Sequence, residues 1–170
     1  MSKVLLIEDE PSLAAALQRV LEVEGYEVVT TTDAQHGLDA AREGDFQVIV
    51  TDLKMPGISG LEIVKSLHET RPQLPVILMT GFHTTEAAIE AMKLGAYDYI
   101  LKPPDQEEFV ALIGKAATNS RLMSEQVTVG QTPFGKEAIV GSSRSMQNVY
   151  KEIGRVAAMP VTVLIRGLRM

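Results

Sequence analysis

Three short runs of this chain, Val4–Ile7, Val48–Val50 and Val76–Met79, are apolar at every position. A strand with one wet face alternates apolar and polar residues, so unbroken runs of this length describe strands buried on both faces. Between them lie segments with helical spacing. Leu13, Ala16, Leu17, Val20 and Leu21 follow Pro11, which fits a first helical turn, and Gly25 stops that helix. Tyr26–Thr30 reads as a second, shorter strand. Asp33 is placed to cap a helix carrying Leu38 and Ala41, closed by Gly44. Gln47–Thr51 is the third strand. Leu61, Val64 and Leu67 mark the next helix, which ends before Pro72.

The pattern continues past Val76–Met79. Thr84 or Thr85 starts a helix through Ile89 and Met92, with Gly95 beyond its end, and Tyr97–Leu101 is a fifth strand. Asp105 and Glu108 have capping-box spacing ahead of Phe109, Leu112, Ile113, Ala116 and Ala117. Strand and helix therefore alternate five times over residues 1–122. Right-handed crossovers turn that order into a five-stranded parallel sheet with helices on both faces, an α/β fold. Residues 123–138 are polar, with Gly130, Pro133 and Gly135, and read as a linker. Residues 139–170 hold one more helical pattern (Met146, Val149, Tyr150, Ile153, Val156) and an apolar run, Val161–Ile165. A lone helix and strand bury too little to fold independently.

Composition narrows the function. The 170 residues contain no cysteine, which removes disulfides and thiol catalysis and suits a cytoplasmic location. The net charge of −6 argues against non-specific nucleic-acid binding. The amino terminus reaches Glu8 too soon for a signal peptide, and no apolar run is long enough to span a bilayer.

Polar groups fall where four strands end: Glu8 and Asp9, then Asp52, then Thr80, then Lys102. In a parallel sheet these ends share one edge, where ligands of open α/β sheets bind. Taken singly, each has an ordinary explanation. An acid near a helix start is a cap, Thr80 is a turn hydroxyl, and Lys102 is a surface lysine. Asp52 resists this, because a charge directly after a buried run is costly when unpaired. Taken together, three carboxylates in one pocket repel unless a cation neutralises them, and hard oxygen donors suit Mg²⁺. Metal, ammonium and hydroxyl form the apparatus of phosphoryl transfer, with Asp52 as the nucleophile that becomes an acyl phosphate.

The segments Leu5–Glu10, Asp52–Gly60, Met79–Gly81, Gly95–Tyr99 and Leu101–Pro103 resemble the receiver domains of bacterial two-component response regulators. The resemblance implies a flavodoxin-like fold of the CheY type and Asp52 as phospho-acceptor. It implies Mg²⁺ held by Asp9, Asp52 and the Lys54 backbone carbonyl, with Glu8 acting through water. Thr80 would follow the phosphoryl group, and Tyr99 would be a coupled aromatic switch that repacks inward. A cis peptide is expected at Lys102-Pro103. Glu8 departs mildly from the pattern, since many members have Asp there.

Residues 139–167 are similar to the opening of the AAA+ ATPase domain of sigma-54-dependent transcriptional activators. No phosphate loop follows Gly167, and Leu168-Arg169-Met170 do not match. The expectation is a receiver and linker of an NtrC-type activator, cut short at the start of its ATPase domain. The implied partners are a sensor histidine kinase and a second copy of the chain, joined through receiver and linker. DNA and sigma-54 RNA polymerase would be partners of the full-length parent, not of this polypeptide. It is expected to be a self-phosphorylating acceptor with slow autodephosphorylation, and so not an enzyme. An Asp-nucleophile phosphohydrolase usually has a second acid two residues after the nucleophile, and Lys54 stands there. A flavin-binding module would need a hydroxyl- and Gly-rich loop where Glu8-Asp9-Glu10-Pro11 lies. A receiver that signals without phosphorylation would lack some of these residues, and all are present.

Overall fold

The computed structural model describes residues 2–81 and 85–124, without the side chains of 85–87 and 122–124. Five parallel strands form one sheet: β1 Lys3–Ile7, β2 Glu27–Thr31, β3 Val48–Asp52, β4 Val76–Thr80 and β5 Asp98–Leu101. Their order across the sheet is β2-β1-β3-β4-β5. Five helices alternate with them: α1 Pro11–Val23, α2 Ala34–Glu43, α3 Gly60–Thr70, α4 Thr85–Lys93 and α5 Gln106–Ser124.

β1, β3 and β4 are buried on both faces, as their apolar runs require, whereas the edge strand β2 is half-buried to exposed along its length. Successive side chains of a strand point to opposite faces. Leu5, Ile7, Ile49, Val76 and Leu78 pack into one core with residues of α2, α3 and α4. Val4, Leu6, Val48, Val50, Ile77 and Met79 pack into a second core with α1 and α5. The Phe109, Leu112 and Ile113 stripe lies wholly inside this second layer, whereas Ile89 on α4 is half-buried.

Local chemistry explains several helix ends. Pro11 occupies the first turn of α1, and the chain leaves that helix through Gly25 at φ +85. Asp33 caps α2 by accepting the His36 N–H at 2.7 Å. Asp105 caps α5 by accepting the Glu108 N–H at 3.0 Å. At α3, Ser59 and Glu62 form a complete capping box. Glu62 Oε2 accepts the Ser59 N–H at 2.8 Å, and the Glu62 N–H reaches Ser59 Oγ at 3.3 Å.

Boundaries shift by a residue from the sequence expectation. Asp52 and Thr80 are the last residues of their strands rather than the first after them, because pairing carries Asp52 opposite Met79 and Thr80 opposite Leu101. β2 starts at Glu27 and β5 at Asp98. α5 runs to Ser124, into the stretch expected to be linker. The rest of that linker, the helix–strand remnant at 139–170 and the cap considered at Thr84 lie outside the described residues.

Phe109 is fully enclosed between α5 and the sheet, while Val23 is 80% exposed. Phe109→Ala should cost about 3–5 kcal/mol, a large share of the roughly 5–15 kcal/mol that holds a domain together. Val23→Ala should stay within about 0.5 kcal/mol. Urea unfolding followed by circular dichroism measures both.

Candidate functional site

The strand order creates the site. From β1 the chain goes outward to β2, then crosses back to β3 on the other side of β1. Connections above β1 and β3 therefore diverge, leaving a crevice at their carboxyl ends. Glu8 and Asp9 follow β1 and Asp52 ends β3, so all three border that crevice. One carboxylate oxygen from each lies within 4.8 Å of the others. Lys102 enters from the end of β5, where its N–H donates to the Thr80 carbonyl at 2.8 Å.

The ammonium of Lys102 sits between two of the acids. Its Nζ lies 2.6 Å from Glu8 Oε2 and 2.7 Å from Asp52 Oδ2. The bond to Asp52 is a directed hydrogen bond. The approach to the enclosed Glu8 Oε2 is an ion pair without that alignment. Glu8 Oε1 accepts the Glu10 N–H at 3.2 Å. Asp52 Oδ1 accepts the Lys54 N–H at 3.3 Å, which brings the Lys54 backbone beside the carboxylate. Asp9 is exposed at the mouth.

Burial pushes the Glu8 carboxyl above its ordinary range, and the nearby Asp52 charge adds to this. The Lys102 ammonium and the Glu10 N–H offset only part of it. For Lys102, burial opposes the charge, but Asp52 and Glu8 outweigh it and raise the ammonium above its usual range.

The structure thus gathers Glu8, Asp9, Asp52 and Lys102 at one rim, and puts Thr80 at the same edge, 5% exposed. Glu8 is fully enclosed and its carboxylate meets Lys102. Tyr99 is 4% exposed and belongs to the core facing α2, α3 and α4. The Lys102-Pro103 peptide is cis. The donor set suits a hard divalent cation, since every candidate ligand is oxygen and one face of the cluster, at Asp9, is open.

Two supports escaped the sequence reading. The Ser59–Glu62 box had a visible S-x-x-E signal. Thr51, fully buried, donates its hydroxyl to the Asp52 carbonyl at 3.2 Å, and no local pattern announces that.

Residues 4–114 match the response regulator receiver domain family. This chain belongs to that family. It is 36% identical over 171 residues to the C4-dicarboxylate transport transcriptional regulatory protein DctD of Pseudomonas aeruginosa, covering 98% of this chain and 37% of that protein. It is 34% identical over 164 residues to the DNA-binding transcriptional regulator NtrC of Klebsiella pneumoniae, covering 95% of this chain and 34% of that one. The receiver chain therefore spans little more than a third of the length of these curated relatives. Among solved structures, a response regulator receiver domain protein from Clostridium thermocellum superposes with a TM-score of 0.69 at 33% identity, covering 72% of this chain and 99% of that one. The beryllofluoride-activated NtrC4 receiver domain dimer gives 0.67, also at 33% identity, covering 71% and 99%. These matches support a two-component response regulator role for the receiver. Among the described residues no helix is long and apolar enough to cross a membrane.

The direction of the Glu8 shift fixes a pH dependence. A carboxyl raised above 4.5 holds its proton more tightly in the folded chain, so its contribution is full below that value and is lost as pH rises through the raised one. In chelator-containing buffer, the stability of the receiver relative to its Glu8→Gln variant should fall from pH 4.5 toward neutrality. Urea midpoints at several pH values measure this, and a flat difference would contradict the enclosed carboxylate.

Proposed function

We propose that this receiver accepts a phosphoryl group on Asp52 from the phosphohistidine of a sensor histidine kinase. The observation that carries the reading is the Lys102 ammonium 2.7 Å from Asp52 Oδ2, in a rim that also gathers Glu8 and Asp9. An Asp52 oxygen attacks phosphorus in line. A P–O bond forms, the P–N bond breaks, and its electron pair leaves on the imidazole, which takes up a proton. The product is an acyl phosphate on Asp52.

Each neighbour has a task. Lys102 neutralises charge on the phosphoryl oxygens without reorganising, because Asp52 and Glu8 already hold it at the rim. Thr80 offers its hydroxyl to a phosphoryl oxygen from the end of β4. The Lys54 N–H steadies the carboxylate during attack. Asp9, Asp52 and the Lys54 backbone carbonyl would hold Mg²⁺, with Glu8 behind them through water. When bound, the ion supplies Lewis-acid charge neutralisation for the transferring group.

Phosphorylation adds charge and strong acceptor oxygens at the rim. Thr80 and Lys102 are drawn toward them, and both lie at the ends of strands that lead into α4 and α5. The surface formed by α4, β5 and α5 then changes, with Tyr99 as the buried reporter of that shift. The receiver turns over no external substrate. It is an acceptor with slow autodephosphorylation, working in the cytoplasm beside its kinase, and pairs with a second copy through receiver and linker. We place the receiver at 1–122, the linker at 123–138 and the opening of an AAA+ ATPase domain at 139–170. A longer protein of this kind would act in sigma-54-dependent transcription, with DNA and polymerase contacts outside this stretch.

With Mg²⁺ and acetyl phosphate the chain should gain the mass of one phosphoryl group, and Asp52→Asn should abolish the gain. No gain, or the same gain in the variant, overturns the reading. Calorimetric titration with Mg²⁺ should show Asp9→Asn weakening binding by about tenfold or more, which is roughly 1.4 kcal/mol.

A further inference from the structure

The Asp52 side chain is held by its neighbours, but its aim is set by its own peptide. Four contacts fix the main chain at that residue. The Leu53 N–H donates to the Met79 carbonyl at 2.8 Å, continuing the sheet by one bond. The Thr51 hydroxyl donates to the Asp52 carbonyl at 3.2 Å. The Gly60 N–H donates to the Leu53 carbonyl at 3.0 Å, folding the loop back on its own start. The fourth is the approach of Gly60 itself, the first residue of α3, to the Asp52 carbonyl. A methyl group at Gly60 would collide with that oxygen. It would also come within 3.0 Å of the Asp52 carbonyl carbon and 2.7 Å of Leu78 Cδ2.

This glycine is not there for backbone freedom. Gly25 and Gly57 take positive φ with nothing within 4 Å of where a Cβ would stand, whereas Gly60 is enclosed on the inner face of α3 and is not among the positive-φ glycines. What it supplies is the absence of a Cβ. Moving the Asp52 carbonyl aside would turn the Asp52–Leu53 peptide and, through Leu53, displace the next one, which carries the Lys54 amide. The Lys54 N–H is the group that steadies Asp52 Oδ1, at 3.3 Å. The same turn would swing Oδ2 away from Lys102, which reaches it at 2.7 Å.

We propose that Gly60 is a positioning residue for Asp52: by seating the first turn of α3 directly on the Asp52 carbonyl, it fixes the peptide that aims the carboxylate at Lys102 and Asp9. This rests on Asp52 being the phospho-acceptor. Gly60 has no side chain to offer a phosphate or an ion and its N–H is taken by the Leu53 carbonyl, so it acts through the chain it presses against.

The test compares initial rates of phosphorylation by acetyl phosphate, and Mg²⁺ dissociation constants, in folded protein at matched temperature. Gly60→Ala should slow phosphorylation by about tenfold or more and weaken Mg²⁺ by about fivefold. Gly25→Ala, which strains the backbone far from the rim, should stay within about twofold on both. Leu78→Ala removes the side-chain part of the collision but not the carbonyl part, so Gly60→Ala combined with Leu78→Ala should remain slow. Thr51→Val loosens the same carbonyl from its other side, and should slow the reaction even if Gly60→Ala does not fold. Wild-type rates in Gly60→Ala, full rescue by Leu78→Ala, or an unchanged rate in Thr51→Val beside a misfolded Gly60→Ala would each overturn the positioning role. A wild-type chain that neither gains phosphate nor binds the ion would instead overturn the phospho-acceptor reading, and the positioning role with it.

Discussion

One ammonium group holds the functional rim together. Lys102 stands within 2.7 Å of carboxylate oxygens from the ends of two different strands, β1 and β3, while arriving itself from a third, β5. Without a cation there, Glu8 would be a fully enclosed charge beside a second acid, an arrangement that desolvation and repulsion both oppose. The ion pairs therefore tie the site to the fold. The same ammonium that offsets the acids also places fixed positive charge where a phosphoryl group would arrive.

The geometry rests on the main chain more than on side-chain packing. β1, β3 and β4 are buried on both faces, so their register cannot slip without turning apolar residues toward the wrong core. The crossover from β2 back to β3 opens the crevice. Tight helix–strand approaches complete the rim. Gly60 lets α3 sit on the Asp52 carbonyl, and a side chain at Gly37 of α2 would run into Ile7, the residue before Glu8.

Most of the fold was legible because its signal is local and repeated. The apolar runs at Val4, Val48 and Val76, the helix starts at Pro11 and Asp33, and the stop at Gly25 each announce themselves within a few residues. Boundaries moved where pairing between strands extended the ladder, as at Asp52 and Thr80, since a partner strand is invisible to a local pattern. The Ser59–Glu62 box was legible and went unread. The enclosure of Glu8, the hydroxyl of Thr51 on the Asp52 carbonyl and the interior placing of Tyr99 were not legible, because each depends on residues distant in sequence or on a rotamer.

The sequence by itself determined the alternation of strand and helix, the burial of β1, β3 and β4 on both faces and the presence of acids, hydroxyl and lysine at strand ends. These follow from periodicity and from the cost of burying charge, which act over a few residues. Only the tertiary structure decided which carboxylates Lys102 would meet, which oxygen of Asp52 it would hold and how closely α3 could approach. Those depend on strand order and on close packing between segments far apart along the chain, where local preferences carry no information.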